Sequence, residues 1–114
     1  MTINQYNFCL KEAVASRDRD VYISDLALSS IWGAPETADI PTARVKELEQ
    51  IWDACHRAVK EIAADAGLSQ RKLAERFGIP YRTVENWCGG QNACPLYTRL
   101  MIQECLGLLT IEIE

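Results

Sequence analysis

The chain has 114 residues, 48% of them apolar and 25% charged, with 12 Lys/Arg against 16 Asp/Glu for a net charge of −4. That size holds one core without room for a second full domain, and the composition excludes a disordered chain. No apolar run approaches the ~20 residues that a transmembrane helix needs.

In chain order, residues 2–16 predict a first helix, with Tyr6, Phe8, Cys9, Leu10 and Val14 as its apolar positions. The N-terminal stretch MTINQYNFCLKEAV lacks a basic segment followed by an apolar one, so no secretory signal is expected. The reducing cytoplasm is then the expected compartment, and Cys9, Cys55, Cys88, Cys94 and Cys105 are expected to stay free as small apolar fillers. SRDRD (16–20) is a polar break. VYISDLALSSIWG places Tyr22, Ile23, Leu26, Ile31 and Trp32 at helical spacing, closed by Gly33. GAPETADIP (33–41) reads as a loop. Trp32 and Trp52 are expected to be core aromatics joining the N-terminal helices to the rest.

The clearest pattern follows. Val45, Leu48, Ile51, Trp52, Cys55, Val59, Ile62, Ala63 and Ala66 draw one stripe at steps of three and four. It predicts a long helix over 42–66, capped by Thr42 and ended by Gly67 with Leu68 behind it. Three shorter helices come next. Ser69 can cap one that runs to Phe77, and Gly78 ends it. Pro80 starts another, where its missing N–H costs nothing, and Gly89-Gly90 ends that one. Pro95 opens a last helix with Leu96, Leu100, Met101, Cys105, Leu106 and Leu109 as its apolar positions. The alternating tail TIEIE suggests a short strand, one that pairs across a dimer.

LSQRKLAERFGIPYRTVENW (68–87) has the parts of a helix-turn-helix. Ala74 is the small residue that lets two helices approach, and Gly78 supplies the turn. Leu73 and Phe77 anchor the first helix; Ile79, Val84 and Trp87 lock the second. The segment is locally basic. Residues 1–66 carry seven Lys/Arg against eleven Asp/Glu, whereas 67–114 carry five of each. Arg71, Lys72, Arg76 and Arg82 face only Glu75 and Glu85 within 67–95.

The spacing from Gln70 through Ala74, Gly78 and Val84 to Trp87 resembles the lambda-repressor-like (XRE) helix-turn-helix family, over roughly residues 45–108. Gly89-Gly90 and the helix opened by Pro95 resemble that family's fourth and fifth helices. IPYRTVENWCGGQNACPLYTRLM also looks like small helix-turn-helix proteins of bacterial mobile elements and prophages. Two positions depart from the pattern: Pro80 stands where a Ser-like cap is usual, and Cys88 where an acidic residue is frequent.

The resemblance implies site residues. Tyr81, Arg82, Glu85 and Asn86 would contact bases, with Arg82 suited to guanine, Asn86 to adenine, Glu85 to cytosine N4 and Tyr81 to a thymine methyl or a sugar. Gln70, Arg71, Gln91 and Asn92 would contact phosphates, the last two from a loop with backbone and side-chain donors. Tyr81–Trp87 would be the recognition helix. The partner implied is double-stranded DNA, bound by a homodimer at two half-sites about one helical turn (~34 Å) apart.

Other chemistry finds little support. Cys88 and Cys94 with Cys55 and His56 match neither a zinc finger nor a ribbon, because neighbours Cys55 and His56 leave a helix on different sides. His56 is the only histidine, and nothing frames a Cys–His nucleophile pair. Neither a catalytic group nor a metal nor a cofactor is expected.

The expected fold is all-α: a five-helix helix-turn-helix bundle over 42–109, a helical N-terminal extension over 1–41, and a tail over 110–114. The expected function is sequence-specific DNA binding by a transcriptional repressor, with no membrane contact. The alternative is a protein-interaction module, antitoxin-like or accessory to a mobile element, in which residues 1–41 bind a partner.

Overall fold

The computed structural model describes residues 1–33 and 40–114. The expected loop at 33–41 therefore lies mostly outside the described residues. Among the described residues the chain is helical throughout: α1 (Ile3–Ala15), α2 (Arg19–Ala27), a 3₁₀ turn (Ser30–Trp32), α3 (Thr42–His56), α4 (Val59–Asp65), α5 (Gln70–Phe77), α6 (Tyr81–Gly89) and α7 (Leu96–Cys105). The all-α helix-turn-helix expectation holds. Two units pack separately, Met1–His56 with Thr110–Glu114, and Arg57–Leu109.

In the first unit α1 and α2 pack on α3. Thr2 and Gln5 close a reciprocal cap on α1: the Gln5 amide donates to Thr2 Oγ1 at 3.1 Å and the Thr2 amide to Gln5 Oε1 at 2.8 Å. Asp18 caps α2 at the Val21 amide, 3.1 Å. The core is Tyr6, Cys9, Ala13, Tyr22, Leu26, Leu48, Ile51, Ala54 and Cys55. Within it the Tyr22 hydroxyl donates to the Cys9 carbonyl at 2.9 Å. Arg19 forks onto Asp53 at 2.8 and 3.1 Å, tying α2 to α3.

Four details differ from the sequence reading here. Val14 is exposed, and Ala13 takes the buried position instead. The second helix stops at Ala27, and Ser29 caps a separate 3₁₀ turn through the Ile31 amide at 3.2 Å. Thr42 is the first helical residue of α3, not its cap; the Pro41 carbonyl accepts the first bond, from the Arg44 amide at 3.0 Å. The tail forms no strand among the described residues. It pairs with its own chain: the Glu114 amide donates to the Met1 carbonyl at 2.9 Å, and the Thr110 amide to Gln50 Oε1 at 2.9 Å.

The expected helix over 42–66 is two helices. Ala58 is extended (φ −74°, ψ 160°), and α4 starts anew from it, with the Ala58 amide donating to Glu61 Oε1 at 3.2 Å. The break is held by side chains. Arg99 Nη1 donates to the Arg57 carbonyl at 2.9 Å, while Arg57 itself reaches Gln103 Oε1 at 2.6 Å and Asp65 Oδ2 at 2.9 Å. A continuous helix would engage that carbonyl in its own ladder. The stripe therefore feeds two cores: Leu48, Ile51 and Cys55 in the first unit, Val59, Ile62 and Ala63 in the second.

The second unit is built on Val59, Ile62, Ala63, Leu73, Ala74, Val84 and Ile102. Phe77, Ile79, Tyr81 and Trp87 pack partly buried against them. It has four helices among the described residues, α4 to α7, with the expected loop between Gly90 and Pro95. The compact unit that holds the helix-turn-helix runs from Arg57 to Leu109.

α5 is set at both ends as its sequence dictates. Ser69 Oγ accepts from the Lys72 amide at 3.1 Å. At the other end Gly78 is left-handed (φ 65°), and the Ile79 amide donates back to the Ala74 carbonyl at 3.0 Å. Ser69→Ala should lower the stability of this unit by about 1 kcal/mol, read as a lower urea midpoint with an unchanged slope.

Candidate nucleic-acid interface

Gly78 to Pro80 is the whole link between α5 and α6, and both α4 and α5 pack on α6. The link fixes the orientation of α6. Pro80 precedes its first turn without a side-chain cap, and the Pro80 carbonyl accepts from the Thr83 amide at 2.9 Å.

Which face of α6 is free follows from Val84, its one fully buried side chain. At about 100° per residue, Arg82 and Asn86 both lie about 160° around the helix from Val84, one turn apart on the far face. Glu85 and Thr83 lie on its flanks, about 100° from Val84. Arg82 and Glu85 are exposed and Asn86 half-buried. Among the described residues no hydrogen bond or ion pair engages the Arg82 guanidinium.

Tyr81 is placed differently. Only about 60° separates it from the inward direction. Its ring packs against the core, and the Arg71 guanidinium carbon lies over the ring at 4.3 Å from its centroid. Gln70 and Arg71 are the first two residues of α5, so the Arg71 contact joins the starts of α5 and α6.

The loop after α6 also has a definite arrangement. The amides of Gln91 and Asn92 both turn back to the Asn86 carbonyl, at 3.0 and 3.3 Å. Those two amides are therefore engaged within the chain, and only the side chains remain as outward donors. The Gln91 carboxamide folds over Gly89, where a Cβ would come within 2.5 Å of Oε1.

Charge divides with the packing. Residues 57–109 carry seven Lys/Arg against five Asp/Glu, a net of +2. Residues 1–56 and 110–114 carry five against eleven, a net of −6. The division is sharper than the split at residue 66 that the sequence suggests, because Glu112 and Glu114 belong with the first unit; Arg57 and Lys60 join the second together with Glu61 and Asp65, and these cancel. Lys60 is a basic side chain that the sequence reading passed over. It is exposed, and its charge acts on the Cys88 thiol of α6. Nothing in the stripe pattern distinguished it from an ordinary solvated lysine.

Burial makes Cys9, Cys88 and Cys94 poor nucleophiles. Burial, with Glu47 and Glu12 nearby, pushes the Cys9 thiol up to about 11. Burial also raises Cys88, against the opposing pull of Lys60, and Cys94, against that of Arg99. Cys55 is buried in the first unit, and His56 stacks on Trp52 with ring centroids 4.0 Å apart and its Nε2 2.8 Å from the Ala13 carbonyl. Among the described residues no group of three His, Cys, Asp or Glu is placed to hold a metal ion. None of their helices is long and apolar enough to cross a membrane.

Residues 53–90 match the family model described as helix-turn-helix, Psq domain. The stretch runs from the end of α3 through α6 and contains the whole α5–turn–α6 arrangement. The chain thus carries a helix-turn-helix DNA-binding domain, and its function is sequence-specific DNA binding. The match names the Psq description, not the lambda-repressor-like one. No curated protein and no solved structure matches the chain.

Proposed function

We propose that the protein is a transcriptional repressor that lays α6 in the major groove of double-stranded DNA. The observation that carries this reading is the far face of α6. Arg82 and Asn86 stand there one turn apart, opposite the buried Val84, on a unit of net positive charge.

Each base contact has a chemical reason. The Arg82 guanidinium presents two parallel N–H donors that fit guanine O6 and N7. The Asn86 carboxamide offers one donor and one acceptor, the pattern that adenine N7 and N6 complement. Glu85 accepts from cytosine N4 and penalises a phosphate brought close to it. Gln70 and Arg71 at the start of α5, with the Gln91 and Asn92 side chains, hold phosphates and fix the register. Lys60 adds charge to the same unit. A single short helix reads few base pairs, so the working species is a homodimer on half-sites about 34 Å apart. The lambda-repressor-like likeness of residues 70–87 supports the repressor role. The −6 charge of the first unit keeps that unit off the phosphates and leaves it for protein contact.

The test is a salt series of binding to the duplex just upstream of the protein's own gene, comparing wild type with Arg82→Ala/Asn86→Ala. Wild-type binding should weaken steeply with salt. The double variant should lose roughly thirtyfold to ten-thousandfold of its preference over random duplex, since each of the two pairs discriminates by ~1–3 kcal/mol. If the double variant keeps the full preference, α6 is not the reading helix. A second reading, in which residues 1–41 bind a protein partner, is favoured by the exposed apolar side chains Val14, Val21 and Leu28. Retention of a partner by an Arg82→Ala/Asn86→Ala chain that no longer binds DNA would support it.

A further inference from the structure

The start of α6 carries an arrangement that base reading does not use. Three cations lie on α5, and their surroundings differ. Lys72 Nζ is 3.9 Å from Glu75 Oε2, a loose exposed pair. The Arg76 guanidinium carbon is 6.0 Å from the Phe77 ring centroid, at the outer limit of a cation–π contact. Arg71 alone is seated, 4.3 Å over the face of Tyr81. The ring beneath it is itself held, because Tyr81 is the first residue of α6 and packs on the core.

Resting on the DNA-binding reading, we propose that Tyr81 is a positioning residue and not a base reader: its ring is the platform that holds Arg71 on a phosphate of the DNA backbone. A guanidinium stacked on a ring uses its flat face for that contact. Its N–H donors lie in its own plane and stay free along the edge. A phosphate approaching edge-on meets a planar fork already oriented, next to the amino ends of α5 and α6, whose dipoles favour an anion. Stacking removes much of the rotamer freedom that an exposed arginine otherwise loses on binding. Tyr81 therefore adds affinity without sequence preference. Its position, about 60° from the inward direction, also turns the ring away from the face that Arg82 and Asn86 occupy.

The experiment measures binding of the full chain to a selected duplex and to a panel of its single-base variants, across salt concentrations. The proteins compared are wild type, Arg71→Ala, Tyr81→Phe, Tyr81→Leu and Arg71→Ala/Tyr81→Leu. Arg71→Ala should lower the salt slope by about one and weaken all duplexes alike. Tyr81→Leu keeps apolar bulk against the core and should weaken all duplexes by about two- to fivefold, the worth of an exposed cation–π contact. In the Arg71→Ala background the same change should do nothing further. Tyr81→Phe keeps the ring and should match wild type. An unchanged salt slope in Arg71→Ala overturns the proposal. So does a Tyr81→Leu chain that alters preference at one base pair, or a Tyr81→Phe chain that binds as weakly as Tyr81→Leu. Each of those leaves the DNA-binding reading standing. If wild type shows no salt-sensitive binding to any duplex, that reading falls and the proposal with it.

Discussion

Leu73→Ala is expected to lower the stability of the 57–109 unit by about 2–5 kcal/mol. Leu73 is fully buried at the centre of that unit's core, with Ile62, Val84 and Ile102 in the same cluster. The loss combines the transfer free energy of the deleted carbons with the cavity they leave. The unit is small, Arg57–Leu109. At ~0.05–0.15 kcal/mol per residue its whole margin is about 3–8 kcal/mol. One substitution can therefore consume half or more of it. Trp87 belongs to this unit, whereas Trp32 and Trp52 belong to the other. In a Trp32→Phe/Trp52→Phe background, urea unfolding followed by fluorescence reports on Trp87 alone. A midpoint that stays at the background's value would mean that Leu73 is not central to the core.

Gln103→Met should cost about 1.5–3 kcal/mol in the same assay. Gln103 is the one fully buried polar side chain among the described residues. Its Oε1 accepts from Arg57 Nη1 at 2.6 Å, and its Nε2 donates to the Arg99 carbonyl at 3.1 Å. Methionine has similar bulk and can make neither bond, so the change isolates the polar loss from a packing loss. A hydrogen bond to a charged group is worth more than a neutral one, and a buried group deprived of its partner keeps the desolvation penalty. Gln103→Glu retains the acceptor for Arg57 and loses the donor to Arg99, so it should fall between wild type and Gln103→Met. If Gln103→Met matches wild type, the Arg57–Gln103–Arg99 set does not hold the break between α3 and α4.

These two residues also mark what a sequence can and cannot disclose here. Leu73 was legible because its neighbours are constrained by geometry: Ser69 caps, Ala74 must be small, Gly78 must turn, and Val84 must point inward. Those demands fall within a few residues of one another, and local spacing records them. Gln103 was not legible. α7 carries apolar residues on every side, and the expected apolar set took Met101 and Cys105, which are exposed, and omitted Ile102, which is buried. The structure selects Ile102 and Gln103, leaving Met101 and Tyr97 exposed. The break at Arg57–Ala58 was hidden for a related reason. Alanine is the best helix former, and the apolar stripe keeps its period across the gap. At the break the Arg57 carbonyl accepts from Arg99 and the Arg57 guanidinium donates to Gln103, both more than forty residues downstream. In the interface, Arg82 and Asn86 could be placed outward by counting from Val84. The seat of Arg71 on Tyr81 could not, since it depends on how two helices approach each other.

The Asn86 carbonyl that receives the amides of Gln91 and Asn92 bears on how this domain can be retargeted. The part of Asn86 that holds the loop in place is its main chain, which every amino acid possesses. The part that faces outward is its side chain. In the proposed docking, shape and readout thus fall to different atoms of one residue, and the same separation holds at Arg82. If α6 reads bases as proposed, exchanging residues 82, 85 and 86 should alter the sequence preference without redesigning the scaffold. Tyr81 offers no such freedom, because one ring serves the core on one face and a cation on the other.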